Sequence, residues 1–274
     1  MLIEKQIRHQ PPTAGIAFRE QTPAPRIQSA RYKVRVARTA AELDAALQLR
    51  FEVFNLELGE GLATSYATGR DEDTYDAACD HLIVEHVDTG KIIGTYRLQT
   101  PERAATGRGF YSAVEFDMTT LPGDVIVAAL ELGRACIARE HRHTETLYML
   151  WKGIAAHALR HGKRYLFGCC SLTSQDPREG WSVMDQLARG GHVHPTLSVT
   201  PRTGFECFAA ESLGAAATPL AGETKIPKLF RSYLRFGAKV CGPPAIDRQF
   251  GTIDYFVLMD LGAMDPQTSK LFFS

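Results

Sequence analysis

Apolar positions in the middle of the chain follow two different periods. Leu147, Leu150, Trp151, Ile154, Ala155, Ala158 and Leu159 recur at offsets 0, +3, +4, +7, +8, +11 and +12, one face of a helix. Gly162 lies just past that stripe, where a helix stop is expected. The flanking runs Val125–Ala138 and Tyr165–Ser171 are nearly continuous in apolar residues and bounded by breaks, which predicts buried strands. Strand, polar turn, helix and strand make a βαβ unit.

Outward from this unit the pattern predicts a strand at Tyr32–Ala37. A helix then follows, opened by the capping-box spacing of Thr39 and Glu42 and striped by Leu43, Ala46, Leu47, Phe51 and Phe54. His81–Val87, the turn Asp88-Thr89-Gly90 and Lys91–Gln99 read as a hairpin. Gly109–Ser112 reads as a short strand or turn. Helices are expected at 178–189, Phe205–Leu213 and Ile226–Phe236, with a loop over 190–204 and closing strands near Lys239–Cys241 and Thr252–Leu258. Residues 1–30, with Pro11, Pro12, Pro23 and Pro25, read as a flexible basic arm, 31–262 as one domain, and 263–274 as a C-terminal tail.

Charged residues inside apolar stretches change the picture. Glu131 and Arg134 sit within the central run, and burying such groups costs several kcal/mol unless they are paired or used. Strict alternation would place them on opposite faces of a strand. Gly133 between them is a natural bulge site that would bring both to one side. Arg50 falls inside the stripe of the first helix, where a guanidinium wants an anion.

The chain has 274 residues, 45% of them hydrophobic, enough for one large core. Its net charge is zero but uneven: residues 1–38 carry +6, residues 39–131 carry −11 and residues 132–274 carry +5. Such asymmetry suggests separate surfaces for separate partners. The acidic run Asp71–Asp80 is either a solvated loop or a cluster that attracts a cationic substrate. It lacks the glycine of a calcium-binding EF-hand loop. Arg139–Thr144 opens the central helix, and free N–H groups beside arginines suit a phosphate. His141 with His143 and His192 with His194 lack a third ligand, so no metal is expected. Six cysteines without a CxxC read as reduced core residues of a cytosolic protein. Met1–Gln10 has no apolar core segment of a signal peptide, and no apolar run reaches the ~20 residues that span a bilayer.

Leu49–Phe54, Asp73–Leu82, Gly94–Leu98, Phe110–Asp117 and Glu131–Arg134 together resemble the ornithine–acyl-carrier-protein N-acyltransferases, grouped with hemolysin-like proteins in the GNAT superfamily. Leu150–Ile154, Leu166–Cys169 and Pro244–Asp247 extend the likeness, which covers about residues 32–260. It is also similar to the acyl-homoserine-lactone synthases. The resemblance implies an α+β, three-layer α/β/α fold around a central mixed, mainly antiparallel sheet. It implies transfer of a 3-hydroxy fatty acyl group from acyl carrier protein to the α-amino group of ornithine, giving lyso-ornithine lipid. The alternatives are another N-acyl amino acid or lactone-like signal, or a non-enzymatic membrane-binding protein.

Residue by residue, the resemblance puts the substrate site on Arg50, Phe54, Asp73, Asp76, Arg97 and Arg134, with Glu131 as the base that acts directly or through water. Arg50 or Arg97 would take the substrate carboxylate, and Asp73 and Asp76 a substrate cation or the helix carrying Arg50. A backbone N–H at the Gly133 bulge, near Cys136 at latest, would hold the carbonyl oxygen. Arg139 and Arg142 would grip the pantetheine phosphate, and Ser171 would line the acyl-pantetheine path. The lactone synthases carry a Trp between the first helix and the acidic pair, which this chain lacks. Arg139–Thr144 also lacks the glycines of the usual GNAT pyrophosphate turn, which favours a carrier-protein donor over acyl-coenzyme A. The expected partners are acyl carrier protein and a small amino acid, with no cofactor and no nucleic acid. Docking is expected on the basic segment 225–239 or on Arg139, Arg142, Arg160 and Arg164, with peripheral membrane contact through 228–236.

Overall fold

The computed structural model describes residues 27–208 and 223–273. Strands β1 (Ile27–Gln28) and β2 (Tyr32–Val36) lead into helix α1 (Ala40–Phe51), which continues as a π-helical segment, Glu52–Glu57. The short helix α2 (Ser65–Thr68) precedes the hairpin β3 (Asp80–His86) and β4 (Ile92–Gln99). Helices α3 (Pro101–Thr106) and α4 (Ser112–Glu115), strand β5 (Phe116–Asp117) and helix α5 (Gly123–Val127) follow. The centre is β6 (Ala129–Ile137), α6 (Thr144–Arg160) and β7 (Tyr165–Leu172). Then come α7 (Pro177–Arg189), β8 (Thr200–Pro201), α8 (Lys228–Arg235), β9 (Lys239–Val240), β10 (Ala245–Asp247), β11 (Thr252–Asp260) and α9 (Pro266–Phe273).

Nine of these strands form one sheet in the order β1-β2-β3-β4-β6-β7-β11-β10, with β9 also on β11. The β6–β7 pair is parallel, as its crossover through α6 requires, and the other described pairs are antiparallel. This is the expected mixed, mainly antiparallel sheet flanked by helices. β4 and β11 are buried along almost their whole length, so both faces of the sheet centre are covered. β7 alternates cleanly: Leu166, Cys170 and Leu172 enter the larger apolar cluster, and Phe167 and Cys169 join the smaller one.

Local chemistry explains the ends of the elements. Thr39 caps α1 by accepting from the Glu42 N–H, and Glu42 reaches back to the Thr39 N–H, completing the predicted box. α6 packs flat on the sheet because Gly153 has no side chain; a Cβ there would lie 2.7 Å from Val34. The run from Val125 divides where a single strand was expected. Val125–Val127 belongs to α5, which starts after Pro122, and only from Ala129 does the chain pair in the sheet.

Of the two readings of Gly109–Ser112, the turn is what the chain forms, leading into α4. Two other expectations give way. Phe205–Phe208 is extended, not helical, because the Phe205 carbonyl accepts the Ile246 N–H and Glu206 bridges to Ala245; the rest of that predicted helix, from 209, lies outside the described residues. The segment read as a tail forms α9, whose Phe272 packs against Trp151 and Phe236 and is buried. Most of the basic arm also lies outside the described residues, and its end, Ile27–Gln28, is paired with β2.

Candidate active site

α1 turns Arg50 inward, and the acidic run folds over to meet it. The Arg50 Nε donates to Asp71 at 2.8 Å, and its Nη1 donates to Asp76 at 2.8 Å. Arg97, near the end of β4, donates to both oxygens of Asp73 at 2.7 Å and to Asp76 at 3.2 Å. Arg134 completes the cluster, donating to Asp73 at 3.2 Å with its Nε 3.3 Å from Asp71. Three guanidinium groups thus face three carboxylates, and Arg50, Asp71, Asp76 and Arg97 are almost wholly buried. Burial works to raise the Asp73 and Asp76 carboxyls. The arginines overcome it, with Arg97 acting on Asp73, and Arg50 and Arg97 on Asp76, and hold both below the usual range.

Of the two roles expected for the acidic pair, Asp76 takes that of holding the helix that carries Arg50. Asp71–Asp80 is no solvated loop: it supplies the anions that Arg50 and Arg97 require. Asp73 and Asp76 are saturated by arginines and do not offer a carboxylate to a substrate cation. Arg50 and Arg97 are equally engaged, so neither presents a free guanidinium to a substrate carboxylate. Arg134 differs. It is ion-paired as well, but it lines two adjoining cavities, and its Nε, 3.3 Å from Asp71, does not complete a hydrogen bond there.

The bulge lies one residue beyond the expected glycine. On β4, Thr95 and Arg97 pair with Cys136 and Gly133, so Arg134 and Ala135 together oppose Tyr96. Arg134 is left-handed at φ 51°, unlike every other described non-glycine residue. The bulge cancels the alternation and turns Arg134 toward the Asp71 and Asp73 side, between the rings of Tyr111 and Phe250.

The parallel ladder of β6 and β7 stops at Glu131 opposite Phe167. Beyond it the strands separate, and the gap opens into a cavity of about 320 Å³. At Gly168 the two backbones still approach closely, since a Cβ there would sit 2.2 Å from the Leu132 carbonyl oxygen. Leu132, Gly133, Ala135, Cys169, Cys170 and Ser171 line the two strand walls, and Phe54 of the π-helical segment and Tyr233 of α8 lie across from them. Cys136 does not reach the cavity: its side chain lies in the apolar cluster on the other side of β6, where burial pushes its thiol up to about 12. Ala135 stands where Cys136 was expected.

Glu131 borders this cavity and is itself buried. Its Oε1 accepts the Ser112 N–H at 2.7 Å and its Oε2 the Tyr111 N–H at 2.9 Å. α4 therefore starts on the Glu131 carboxylate. Burial raises the carboxyl above its ordinary value, against the two N–H bonds and the Arg97 charge. The Ser112 side chain bonds the carboxylate as well.

A second acidic group lines the same cavity and was not singled out from sequence. Glu115, Asp247 and Asp254 hold carboxylate oxygens within 4.8 Å of one another, all three buried. Burial, then the charges of Asp254 and Asp247, push Glu115 far up, and burial brings Asp254 to about 6. Asp254 also bonds Ser171 and accepts from Thr252 Oγ1 at 2.9 Å. The signal was available: Asp254 interrupts the apolar run of β11 as Glu131 interrupts that of β6.

On the outer side, a 3₁₀ turn at Arg139–His141 leads into α6, whose N-cap His143 makes no side-chain bond to the helix start. The Arg139 side chain is 72% exposed and 3.3 Å from Glu57. Arg142 holds Glu57 with two nitrogens. His141 and His143 converge on the Tyr32 hydroxyl, at 3.0 and 2.9 Å, and His194 accepts the Leu197 N–H. Among the described residues no helix is long and apolar enough to cross a membrane.

Three comparisons place this geometry among known proteins. The acetyltransferase (GNAT) domain family matches residues 49–152. The L-ornithine N(alpha)-acyltransferase of Rhizobium meliloti (strain 1021) is 35% identical over 247 residues, 85% of this chain and 81% of that protein. The protein of the same description from Brucella abortus (strain 2308) is 34% identical over 242 residues, 84% of each. Among solved structures, the N-acyl amino acid synthase FeeM from uncultured soil microbes aligns with a TM-score of 0.47 at 11% identity, covering 85% of this chain and 92% of that one.

Proposed function

The chain belongs to the L-ornithine N(alpha)-acyltransferase family, and from that premise we propose that it moves a 3-hydroxy fatty acyl group from acyl carrier protein to the α-amino group of ornithine. The product is lyso-ornithine lipid. The observation that carries this reading is the cavity where β6 and β7 part, with Glu131 at its edge. A thioester needs a slot between strands, and an amine needs an acceptor beside that slot.

In the proposed reaction the amine nitrogen attacks the thioester carbonyl carbon, the carbon–sulfur bond breaks, and the thiol leaves with a proton. An ammonium cannot attack, so a base must first take its proton. Glu131 takes it, directly or through water. Its bonds to Tyr111 and Ser112 fix the carboxylate at the edge of the cavity. A backbone N–H in the stretch Leu132–Ala135 holds the carbonyl oxygen as it becomes negative. Arg134, which lines the cavity from the edge of the ion-pair cluster, holds the substrate carboxylate. The rest of the ion-pair cluster keeps Arg134 and β4 in place.

The uncapped start of α6 with Arg139 and Arg142 takes the single phosphate of the carrier's pantetheine arm. The exposed Lys228, Arg231 and Arg235 of α8 dock the acidic carrier protein, and they give the chain a peripheral hold on an anionic membrane surface. Incubating the purified chain with labelled ornithine and 3-hydroxyacyl carrier protein tests the reading. Mass spectrometry should find N-acylornithine. Lysis of membranes without any acyl transfer would overturn the reading in favour of a cytolytic protein.

A further inference from the structure

Three residues that line the 320 Å³ cavity carry buried side-chain oxygens: Glu115 and Asp254, whose carboxyl groups are hydrogen-bonded to each other, and Gln99, whose Oε1 has no hydrogen-bond donor. Gln99 stands outside the acidic cluster, on β4, and its amide nitrogen is spent on the Gly109 carbonyl. A buried acceptor without a donor costs stability, so the Gln99 oxygen marks a place where a donor is missing. Arg134 lines the same cavity from the edge of the ion-pair cluster, its guanidinium beside Asp71 and Asp73. The complement of this pattern is a ligand with cationic N–H groups at one end and a carboxylate at the other.

Glu115, Asp247 and Asp254 come from α4, β10 and β11, elements that the fold alone does not oblige to share a charge. Like charges this close raise one another's carboxyl values, and in the empty site Glu115 holds a proton in its hydrogen bond to Asp254, a place that a cation can take. The ion-pair cluster does not relieve them, because its own three carboxylates already face its three guanidinium groups. A cation from outside would neutralise the group.

We propose that Glu115, Asp247 and Asp254 bind the side-chain ammonium of the amino-acid substrate and so restrict the enzyme to diamino acids. This deepens, and rests on, the acyl-transfer reading above. It assigns the substrate cation to residues other than Asp73 and Asp76, which the arginines occupy. The α-carboxylate then lies at Arg134 and the α-amine between the two, near Glu131.

The test compares two acceptors with 3-hydroxyacyl carrier protein as donor. One is ornithine; the other is 2-aminopentanoate, which has the same carbon skeleton without the terminal ammonium. The wild-type chain should prefer ornithine by at least about 100-fold in kcat/KM, because a site built for a charged donor rejects a ligand that lacks it. Glu115→Gln and Asp254→Asn should each remove about tenfold or more of that preference, chiefly through the ornithine KM, with the KM for acyl carrier protein unmoved. Equal use of both acceptors by the wild type would overturn the proposal without any variant. So would variants that lose both acceptors equally, the mark of a structural role. Activity lost to EDTA and restored by Mg²⁺ would overturn it in favour of a metal. Transfer to neither acceptor by the wild type is a separate result, which defeats the acyl-transfer reading itself and this proposal with it.

Discussion

The guanidinium of Arg134 lies 4.2 Å from the centroid of the Phe250 ring, on a backbone held left-handed at φ 51°. A β-bulge, two ion pairs and two aromatic rings converge on this residue. A left-handed non-glycine residue costs of order 1–3 kcal/mol and persists only where its surroundings over-determine it.

Backbone strain and side-chain role can be separated at this position. Arg134→Gly and Arg134→Ala both remove a charge that Asp71 and Asp73 face, and breaking a buried pair costs about 3–5 kcal/mol. Only the glycine variant also relieves the backbone. It should be the more stable of the two by about 1 kcal/mol in denaturant unfolding. Both should lose acyl transfer by about 100-fold or more, chiefly through the KM for ornithine, each 1.4 kcal/mol being tenfold. Equal stability of the two variants would show that φ at 134 carries no strain. Unchanged KM would remove Arg134 from the substrate.

Glu131→Gln keeps a carbonyl oxygen for one of the two α4 N–H groups but cannot take a proton. We expect kcat to fall about 10²–10⁴-fold, the span typical of a lost general base. Glu131 works deprotonated, and burial has raised it above 4.5. The acid limb of kcat/KM in the wild type should therefore lie above 4.5, with activity falling as pH drops through it. Near-normal turnover of the variant at pH 7 would leave Glu131 as the anchor of α4 and nothing more.

The sequence was legible where one residue's neighbours along the chain determine its role. The capping box of Thr39 and Glu42, the stripe of α6 and the hairpin of β3 and β4 are all local patterns. Glu131 stood out because an acid in a buried strand has no innocent place. The acidic run was opaque for the opposite reason. Its meaning depends on Arg50, Arg97 and Arg134, which lie on three separate elements. Glu115, Asp247 and Asp254 likewise make a site only once α4, β10 and β11 are assembled. Val125–Val127 lies in a helix where a strand is expected because a short helix and a buried strand share an apolar composition.

Asp254 should trade stability for binding, with a defined pH signature. Its folded value is raised from 3.8 to about 6, so the stability it contributes is full below 3.8 and lost as pH rises through 6. Glu115 and Asp247 face it as acids, and Ser171 and Thr252 as hydrogen-bonding hydroxyls. Asp254→Asn keeps the acceptor oxygen and deletes the charge. Without amino-acid substrate, the variant should equal the wild type near pH 4 and exceed it by about 3 kcal/mol at pH 8, from the 1.36 kcal/mol that each unit represents. Urea unfolding across pH checks this. A variant less stable than the wild type at pH 8 would mean that the carboxylate is compensated within the protein.

The carrier protein should dock on α8. Its Phe230, Tyr233 and Leu234 are buried, and Phe230 and Tyr233 line the cavity, while Lys228, Arg231 and Arg235 face outward on the same helix. The alternative arginines are less available: Arg142 grips Glu57 and Arg164 grips Asp260 with two nitrogens each. A basic face on the wall of the cavity puts an acidic carrier within reach of the opening. Exposed charges steer across about 10 Å at 0.1 M salt and much less at higher salt. The KM for acyl carrier protein should therefore rise several-fold between 0.05 and 0.5 M NaCl, while the KM for ornithine, set by buried groups, moves far less. Reversing Arg231 and Arg235 to glutamate should raise the carrier KM about tenfold at low salt and flatten its salt dependence. If the doubly reversed chain keeps both the wild-type carrier KM and its salt slope, the dock lies elsewhere, and Arg139 beside the start of α6 becomes the face to reverse next.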